Sequence, residues 1–250
     1  MLDSATTLQK PPALDVSKHA LFLDLDGTLV DIAARPEDVV AGDALRRLLQ
    51  TLSAEMNGAI ALVTGRTIES AEAVLDGVID TIAGLHGFEC RVGGKTVRAV
   101  DDLDSVRAAY ADAKRLAETG ALLARIEDKG AGLALHCRET PEHCASTRRA
   151  AEALAEQHGL TVLEGKMVVE LTLGVRTKGD ALSSFMGEAP FSGRVPIAVG
   201  DDITDEDAFE AAQGRGGFGV LVGAPRETGA RFGLANANGV SAWLRAGLAR

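Results

Sequence analysis

Asp24-Leu25-Asp26-Gly27-Thr28 places two carboxylates directly after the apolar run Ala20-Leu21-Phe22-Leu23. A buried strand running out into a loop puts such acids at its carboxyl end, where ligands bind in open α/β sheets. Two acids set so close repel each other unless a cation lies between them. An oxygen-only cluster of this kind suits Mg²⁺, and a carboxylate beside Mg²⁺ can act as a nucleophile toward phosphorus. Asp-Gly is also an ordinary turn signal with solvated acids, and the pentapeptide alone does not choose between the two.

Three further motifs do. Thr64-Gly65-Arg66 follows the apolar run Ala59–Val63. A hydroxyl with neighbouring backbone N–H groups can hold a phosphate oxygen, and Arg66 adds a fork of donors. Lys178-Gly179 opens a helical segment, where a cation opposes the helix dipole. That placement makes sense if the ammonium turns toward a phosphate and its nucleophile. Gly200-Asp201-Asp202-Ile203-Thr204-Asp205-Glu206-Asp207 sets five acids in seven residues after another apolar strand. Helix N-terminal preference explains the last three acids; Asp201 and Asp202, at the strand end, call for a divalent cation. By contrast, Gly214-Arg215-Gly216-Gly217-Phe218-Gly219 matches GxGxxG but precedes a strand, so the dinucleotide-binding context is absent.

The elements that must position these motifs alternate. A first strand precedes Asp24, a helix spans Asp43 to Met56 with Ala44, Leu45, Leu48, Leu49 and Leu52 at helical spacing, and a strand covers Ala59–Val63. A helix from Ile68, a weaker strand at Ile82–Gly84 and a hairpin from Phe88 to Val100 follow. Val195–Val199 and Phe218–Val222 are again buried-strand patterns around a helix from about Glu206 to Ala212. This order predicts an α/β fold with a doubly wound, Rossmann-like parallel-sheet core. The middle of the chain differs. Helix-strand-strand occurs twice, over Asp104–Leu171, which predicts an inserted α+β cap domain. The expected division is an N-terminal tail over 1–19, a core over 20–101 and 174–250, and a cap over 102–173. Met1 to Pro12, polar and without a positive region leading into an apolar core, reads as a loose tail rather than a secretory leader.

Strand alternation divides the insert into two faces. Arg125, Glu127 and Lys129 share one face, opposite Ala124 and Ile126. His136 and Arg138 oppose Leu133, Leu135 and Cys137, and Lys166 and Glu170 oppose Met167, Val169 and Leu171. A charged face is often merely solvated. Three strands showing mixed charge on one face also match what sugar hydroxyls need, since each charged group makes a strong, directional hydrogen bond.

Composition narrows the field. The 250 residues carry a formal charge of −10, with no basic stripe for nucleic acid. An anionic substrate must therefore be captured by local cations. No apolar run reaches the roughly 18 residues of a membrane span. Cys90, Cys137 and Cys144 are too few, and odd in number, for a disulfide framework, which favours a reducing cytoplasm. His136-Cys137 and His143-Cys144 match no usual zinc spacing.

Taken in order, these four motifs resemble those of the haloacid dehalogenase superfamily of phosphotransferases. Gly200–Phe209, Gly84–Glu89 and Glu164–Leu171 resemble, more specifically, the trehalose-6-phosphate phosphatase family, over about residues 20 to 245. Leu173-Gly174-Val175, where that family often has a proline, departs from the pattern. The resemblance implies a Mg²⁺-dependent phosphatase that converts trehalose 6-phosphate to trehalose and phosphate through an aspartyl-phosphate. Asp24 would be the nucleophile and Asp26 the acid–base, with Thr64 and Lys178 holding phosphoryl oxygens. Mg²⁺ would be bound by Asp24, the Asp26 carbonyl and Asp201, with Asp202 and Asp205 behind them. Substrate contacts would come from Arg66, His86, Arg125, Glu127, Lys129 and Glu170, of which Glu127, Lys129 and Glu170 match positions that grip the distal glucose. A cytoplasmic monomer acting on a small molecule, without nucleic acid or membrane, completes the expectation. A sucrose-phosphate or mannosyl-phosphoglycerate type of phosphatase, or a catalytically silent sugar-phosphate sensor, stays open as an alternative.

Overall fold

The computed structural model describes residues 8–33, 35–98, 103–174 and 176–249. The chain forms two compact units, Met1–Val97 with Thr177–Arg250, and Arg98–Arg176.

The first unit is built on an eight-stranded sheet. Its strands are β1 (His19–Leu23), β2 (Ile60–Val63), β3 (Thr81–Gly84), β4 (Glu89–Val92), β5 (Lys95–Arg98), and, after the second unit, β10 (Val195–Gly200), β11 (Phe218–Val222) and β12 (Phe232–Leu234). Their order is β12-β11-β10-β1-β2-β3-β4-β5. All pairings from β12 to β3 are parallel, and β4 runs antiparallel to β3. β1, β2, β10 and β11 are buried along almost their whole length, as parallel strands covered on both faces must be. The chain leaves β1 toward β2 on one side and returns through β10 on the other. Between the carboxyl ends of β1 and β10 lies the switch point where such sheets bind ligands.

Helices α1 (Asp43–Glu55), α2 (Ile68–Leu75), α5 (Lys178–Phe185), α6 (Glu206–Gln213) and α7 (Ala237–Leu248) belong to this unit. α1 buries Leu48, Leu49 and Leu52, the stripe read from the sequence. Phe22 of β1 packs with Phe185 and Phe191 at ring-centroid distances of 6.5 and 5.4 Å, fixing α5 against the sheet. The glycine-rich run Gly214–Gly219 joins α6 to β11, a helix-to-strand link.

The loose-tail expectation fails over residues 8–12, and residues 1–7 lie outside the described ones. The Trp243 indole donates to the Pro12 carbonyl at 2.8 Å, and Gly233 N–H donates to the Gln9 carbonyl at 2.9 Å. Leu14, 1% exposed, belongs to the main core. Polar composition hid the anchor, because it is made by backbone carbonyls and the apolar side chains of Leu8 and Leu14, both packed on the main core.

The second unit contains α3 (Asp104–Glu118), β6 (Arg125–Asp128), β7 (Gly132–His136), α4 (Cys144–His158), β8 (Thr161–Gly165) and β9 (Val168–Thr172). Its antiparallel sheet has the order β6-β7-β9-β8. α3 and α4 cover one face through Ala109, Ala113, Ala151 and Leu154 against Leu133, Leu135, Val169 and Leu171. Lys166, expected on a strand, lies instead in the turn between β8 and β9, where Met167 takes a left-handed φ of 62°.

The cysteine count misled. Cys137, just past β7, and Cys144, the first residue of α4, form a disulfide with Cα atoms 5.2 Å apart. The chain turns back within six residues, so pairing needs no wider framework. An odd total therefore gives no ground for a reducing compartment.

Candidate active site

The site starts from strand ends. Asp24 follows β1, its N–H donating to Val199 of β10 at 2.9 Å. Asp201 follows β10. Gly27 brings the two segments together. It has φ +85°, and a Cβ there would stand 2.1 Å from Asp201 Oδ2, so only glycine lets the Asp201 carboxylate pack over this turn. Asp202 caps the following 3-10 turn, its carboxylate accepting from Ile203 N–H at 2.7 Å, and its own N–H donates to Asp205 Oδ2 at 3.0 Å. One carboxylate oxygen from each of Asp24, Asp201 and Asp205 then lies within 4.8 Å of the others.

Lys178 enters this cluster from α5. Thr177 caps the helix by accepting from Asp180 N–H, and Asp180 accepts in return from Thr177 N–H at 3.0 Å. This capping box fixes the first turn. The Lys178 ammonium reaches Asp24 Oδ1 at 2.8 Å and Asp205 Oδ1 at 2.7 Å, with Lys178 only 3% exposed. Burial raises the Asp24 carboxyl well above its ordinary range; repulsion from Asp205 and Asp201 adds to this, and Lys178 offsets only part. Burial alone would lower the Lys178 ammonium, but attraction to Asp205 and Asp24 outweighs it and holds the lysine charged. Three acids against one cation leave excess negative charge around the buried Asp24, Asp205 and Lys178 and the half-buried Asp201. The donor set is all oxygen, which fits a hard divalent cation.

Asp26 faces elsewhere. Its two carboxylate oxygens accept from Arg66 Nε at 2.7 Å and Nη2 at 2.8 Å, a bidentate pair. Arg66, read from sequence as a donor to phosphate, thus spends its fork on a protein carboxylate. Thr64 is buried at the end of β2, its hydroxyl accepting from Arg66 N–H at 3.2 Å. His86 is also buried, its ring packed where a Cβ on Gly65 would stand, within 2.8 Å. The first unit therefore brings Asp24, Lys178, Asp201 and Asp205 into one cluster and pairs Asp26 with Arg66. The Asp202 side chain serves its own turn instead.

In the second unit, register places Glu127, Ala134 and Glu170 in one row across β6, β7 and β9, with Arg125 opposite His136 in the next row. Lys129 Nζ meets Glu170 Oε1 at 2.5 Å. His136 Nε2 meets Glu127 Oε2 at 2.6 Å. Burial works to raise the Glu127 carboxyl, but His136 and Lys129 outweigh it and hold it below its ordinary value. Ala134, fully buried, lies between Glu127 and Glu170 in that row. Two members of this arrangement are missing from the sequence-derived site. Strand alternation placed His136 on this face, but only register shows that it orients Glu127. Ala134 carries no chemical signature at all.

The Trehalose-phosphatase family profile matches residues 22–235. Trehalose-6-phosphate phosphatase of Escherichia coli is 35% identical over 249 residues, covering 95% of this chain and 89% of its own. The probable trehalose-phosphate phosphatase of Sinorhizobium fredii is 38% identical over 214 residues, covering 84% and 80%. A solved structure described as a trehalose-6-phosphate phosphatase related protein superposes with a TM-score of 0.73 at 28% identity, over 90% of this chain and 95% of its own. Motifs, sheet topology and sequence similarity agree, and the chain belongs to the trehalose-phosphatase family.

Proposed function

We infer that the chain hydrolyses trehalose 6-phosphate to trehalose and inorganic phosphate, as the last step of trehalose formation. The observation that carries this reading is the buried Asp24–Lys178–Asp205 contact at the switch point of the sheet, in a chain of the trehalose-phosphatase family. Asp24 is the nucleophile. Its oxygen attacks phosphorus, the bond to the sugar oxygen breaks, and an aspartyl-phosphate forms. Asp26 gives a proton to the departing sugar oxygen and later takes one from the attacking water. Thr64 and Lys178 hold the phosphoryl oxygens, where fixed donors stabilise charge in a dry site.

The acidic cluster fits Mg²⁺, with Asp24, Asp201 and Asp205 offering carboxylate oxygens and Asp26 its backbone carbonyl. When bound, the ion supplies charge neutralisation between an anionic nucleophile and an anionic substrate. Arg98–Arg176 acts as a cap domain whose charged face recognises the sugar. Arg125, Glu127, Lys129 and Glu170 supply its directional hydrogen bonds, and His86 supports the phosphate end from beside Gly65.

No helix among the described residues is long and apolar enough to cross a membrane. A phosphorylated disaccharide is charged and stays in the compartment where it is made, and the reading is of a cytoplasmic enzyme. The reading is of a monomer. Phosphate release across a panel of sugar phosphates, with Mg²⁺ and with chelator, tests the proposal. Trehalose 6-phosphate should lead the panel and activity should vanish with chelator; a preference for sucrose 6-phosphate or mannosyl-3-phosphoglycerate would overturn the substrate.

A further inference from the structure

Exposure distinguishes two roles for Arg66. A guanidinium that grips a substrate phosphate turns its fork of donors toward the ligand. Arg66 is only 8% exposed, whereas its partner Asp26 is 34% exposed. Nε and Nη2 are spent on Asp26, and Nη1 donates to Ser70 Oγ at 3.1 Å. The accessible end of the pair is the carboxylate.

The backbone around Arg66 is held as firmly as its side chain. Leu85 N–H donates to the Arg66 carbonyl at 2.8 Å, and His86 N–H donates to the Thr64 carbonyl at 3.0 Å. Both donors sit in left-handed backbone, at φ 50° and 57°. Non-glycine residues stay there only where the surroundings fix them, and such strain clusters at functional sites. Buried Glu89 accepts from Ile68 N–H at 2.7 Å, pinning the start of α2 two residues past Arg66. Residues 85–89 therefore brace the loop that aims the guanidinium.

We propose that Arg66 is the positioning residue of Asp26, holding both oxygens of its carboxylate in one plane at the leaving-group side, with Leu85, His86 and Glu89 as the brace. This rests on the reading of Asp26 as leaving-group acid. In that step the Asp24–phosphorus bond forms as the phosphorus–sugar oxygen bond breaks, and the Asp26 proton passes to the sugar oxygen. Arg66 takes no part in bond making, and its contribution depends on how much the leaving group needs a proton.

Measuring kcat/KM, which reports the steps up to phosphoryl transfer, separates the roles. Trehalose 6-phosphate, with an alcohol leaving group, is compared with 2,4-dinitrophenyl phosphate, whose leaving group needs no proton. Arg66→Ala should lose about a hundredfold on trehalose 6-phosphate, within the usual range for acid–base catalysis, and at least tenfold less on the aryl ester. The double variant with Asp26→Asn should be no worse than Asp26→Asn alone, since groups acting as a unit are not additive. Arg66→Lys keeps the charge but not the fork, so it should show the same split; it carries the comparison if Arg66→Ala does not fold. Equal losses on both substrates, additive with Asp26→Asn, would overturn the proposal and make Arg66 a phosphate ligand. If Asp26→Asn itself shows no split, the acid role of Asp26 fails and the proposal falls with it.

Discussion

Lys178 Nζ lies 2.8 Å from Asp24 Oδ1, and both residues are almost fully buried. They are 154 positions apart in sequence, so the contact exists only because α5 begins beside the end of β1. Its consequence is electrostatic. A nucleophile that burial and two other carboxylates push toward the neutral form is drawn part of the way back toward the anion by one ammonium.

Lys178→Met should therefore be damaging twice over. Phosphate release should fall by several orders of magnitude, because both the nucleophile and the transferred group lose their cation. The chelated protein should also unfold at a lower temperature, since breaking a buried ion pair by removing one partner costs about 3–5 kcal/mol. Activity and thermal unfolding in chelator check the two halves separately. An unchanged midpoint would mean the carboxylates are far better solvated than their burial indicates.

Asp24→Asn should abolish turnover, because an amide cannot attack phosphorus, and yet raise the unfolding midpoint in chelator. The sign comes from the shift: a carboxyl whose folded pKa is raised destabilises the fold wherever it is ionised. Removing that charge also relieves Asp201 and Asp205, while Lys178 keeps Asp205 as a partner. Opposite movements of activity and stability are common where a site is built for function. A lower midpoint in Asp24→Asn would show that the Lys178 contact outweighs the repulsion.

The strand-end motifs were legible because parallel sheets bury continuous apolar runs and leave the residues just past each run at the ligand-binding edge. Asp24, Thr64 and Asp201 sit where those runs stop. Lys178 was legible as an oddity, a cation at a helix start. β12 and α7 were not foreseen. β12 has only three residues, and α7 carries Gly239 and Gly247, which weaken a helical reading although Val240, Trp243 and Leu244 pack inward. The partner of Asp26 was out of reach for a different reason. Arg66 is 40 residues away, and nothing in Thr-Gly-Arg says whether its guanidinium turns to a ligand or to a neighbouring carboxylate. The same holds for Cys137 and Cys144, whose pairing depends on the path of six intervening residues.

Glu127 gives the cap unit a pH signature. Its carboxyl is held below the 4.5 of the free group by His136 and Lys129, against burial. A carboxyl depressed in this way stabilises the folded unit above that value, and the contribution is lost as pH falls through the folded pKa. Unfolding midpoints followed downward from about pH 6 should drop in wild type below about 4.5, and Glu127→Gln should flatten part of that drop. His136→Ala should move the loss to higher pH by removing the hydrogen bond. Superimposable profiles for wild type and Glu127→Gln would mean the pair adds nothing to folding.

Glu127→Ala, Lys129→Ala and Glu170→Ala should each damage trehalose 6-phosphate hydrolysis far more than hydrolysis of a small aryl phosphate. These side chains lie on the charged face of the cap unit sheet, paired as Glu127–His136 and Lys129–Glu170. They are proposed to touch the sugar and not phosphorus, so only a substrate carrying that sugar can use them. Removing one hydrogen bond to a charged group is worth about 1.5–3 kcal/mol, or roughly ten- to a hundredfold. Binding energy from remote parts of a substrate also serves to place its reacting centre, so kcat should fall along with a rise in KM. Lys129→Ala carries a further expectation, because it leaves Glu170, only 15% exposed, without its ammonium. It should lose more than Glu170→Gln, which keeps the size of the side chain and removes the charge. Equal losses on sugar and aryl substrates would instead make both pairs supports of the sheet, and the sugar would have to be recognised elsewhere.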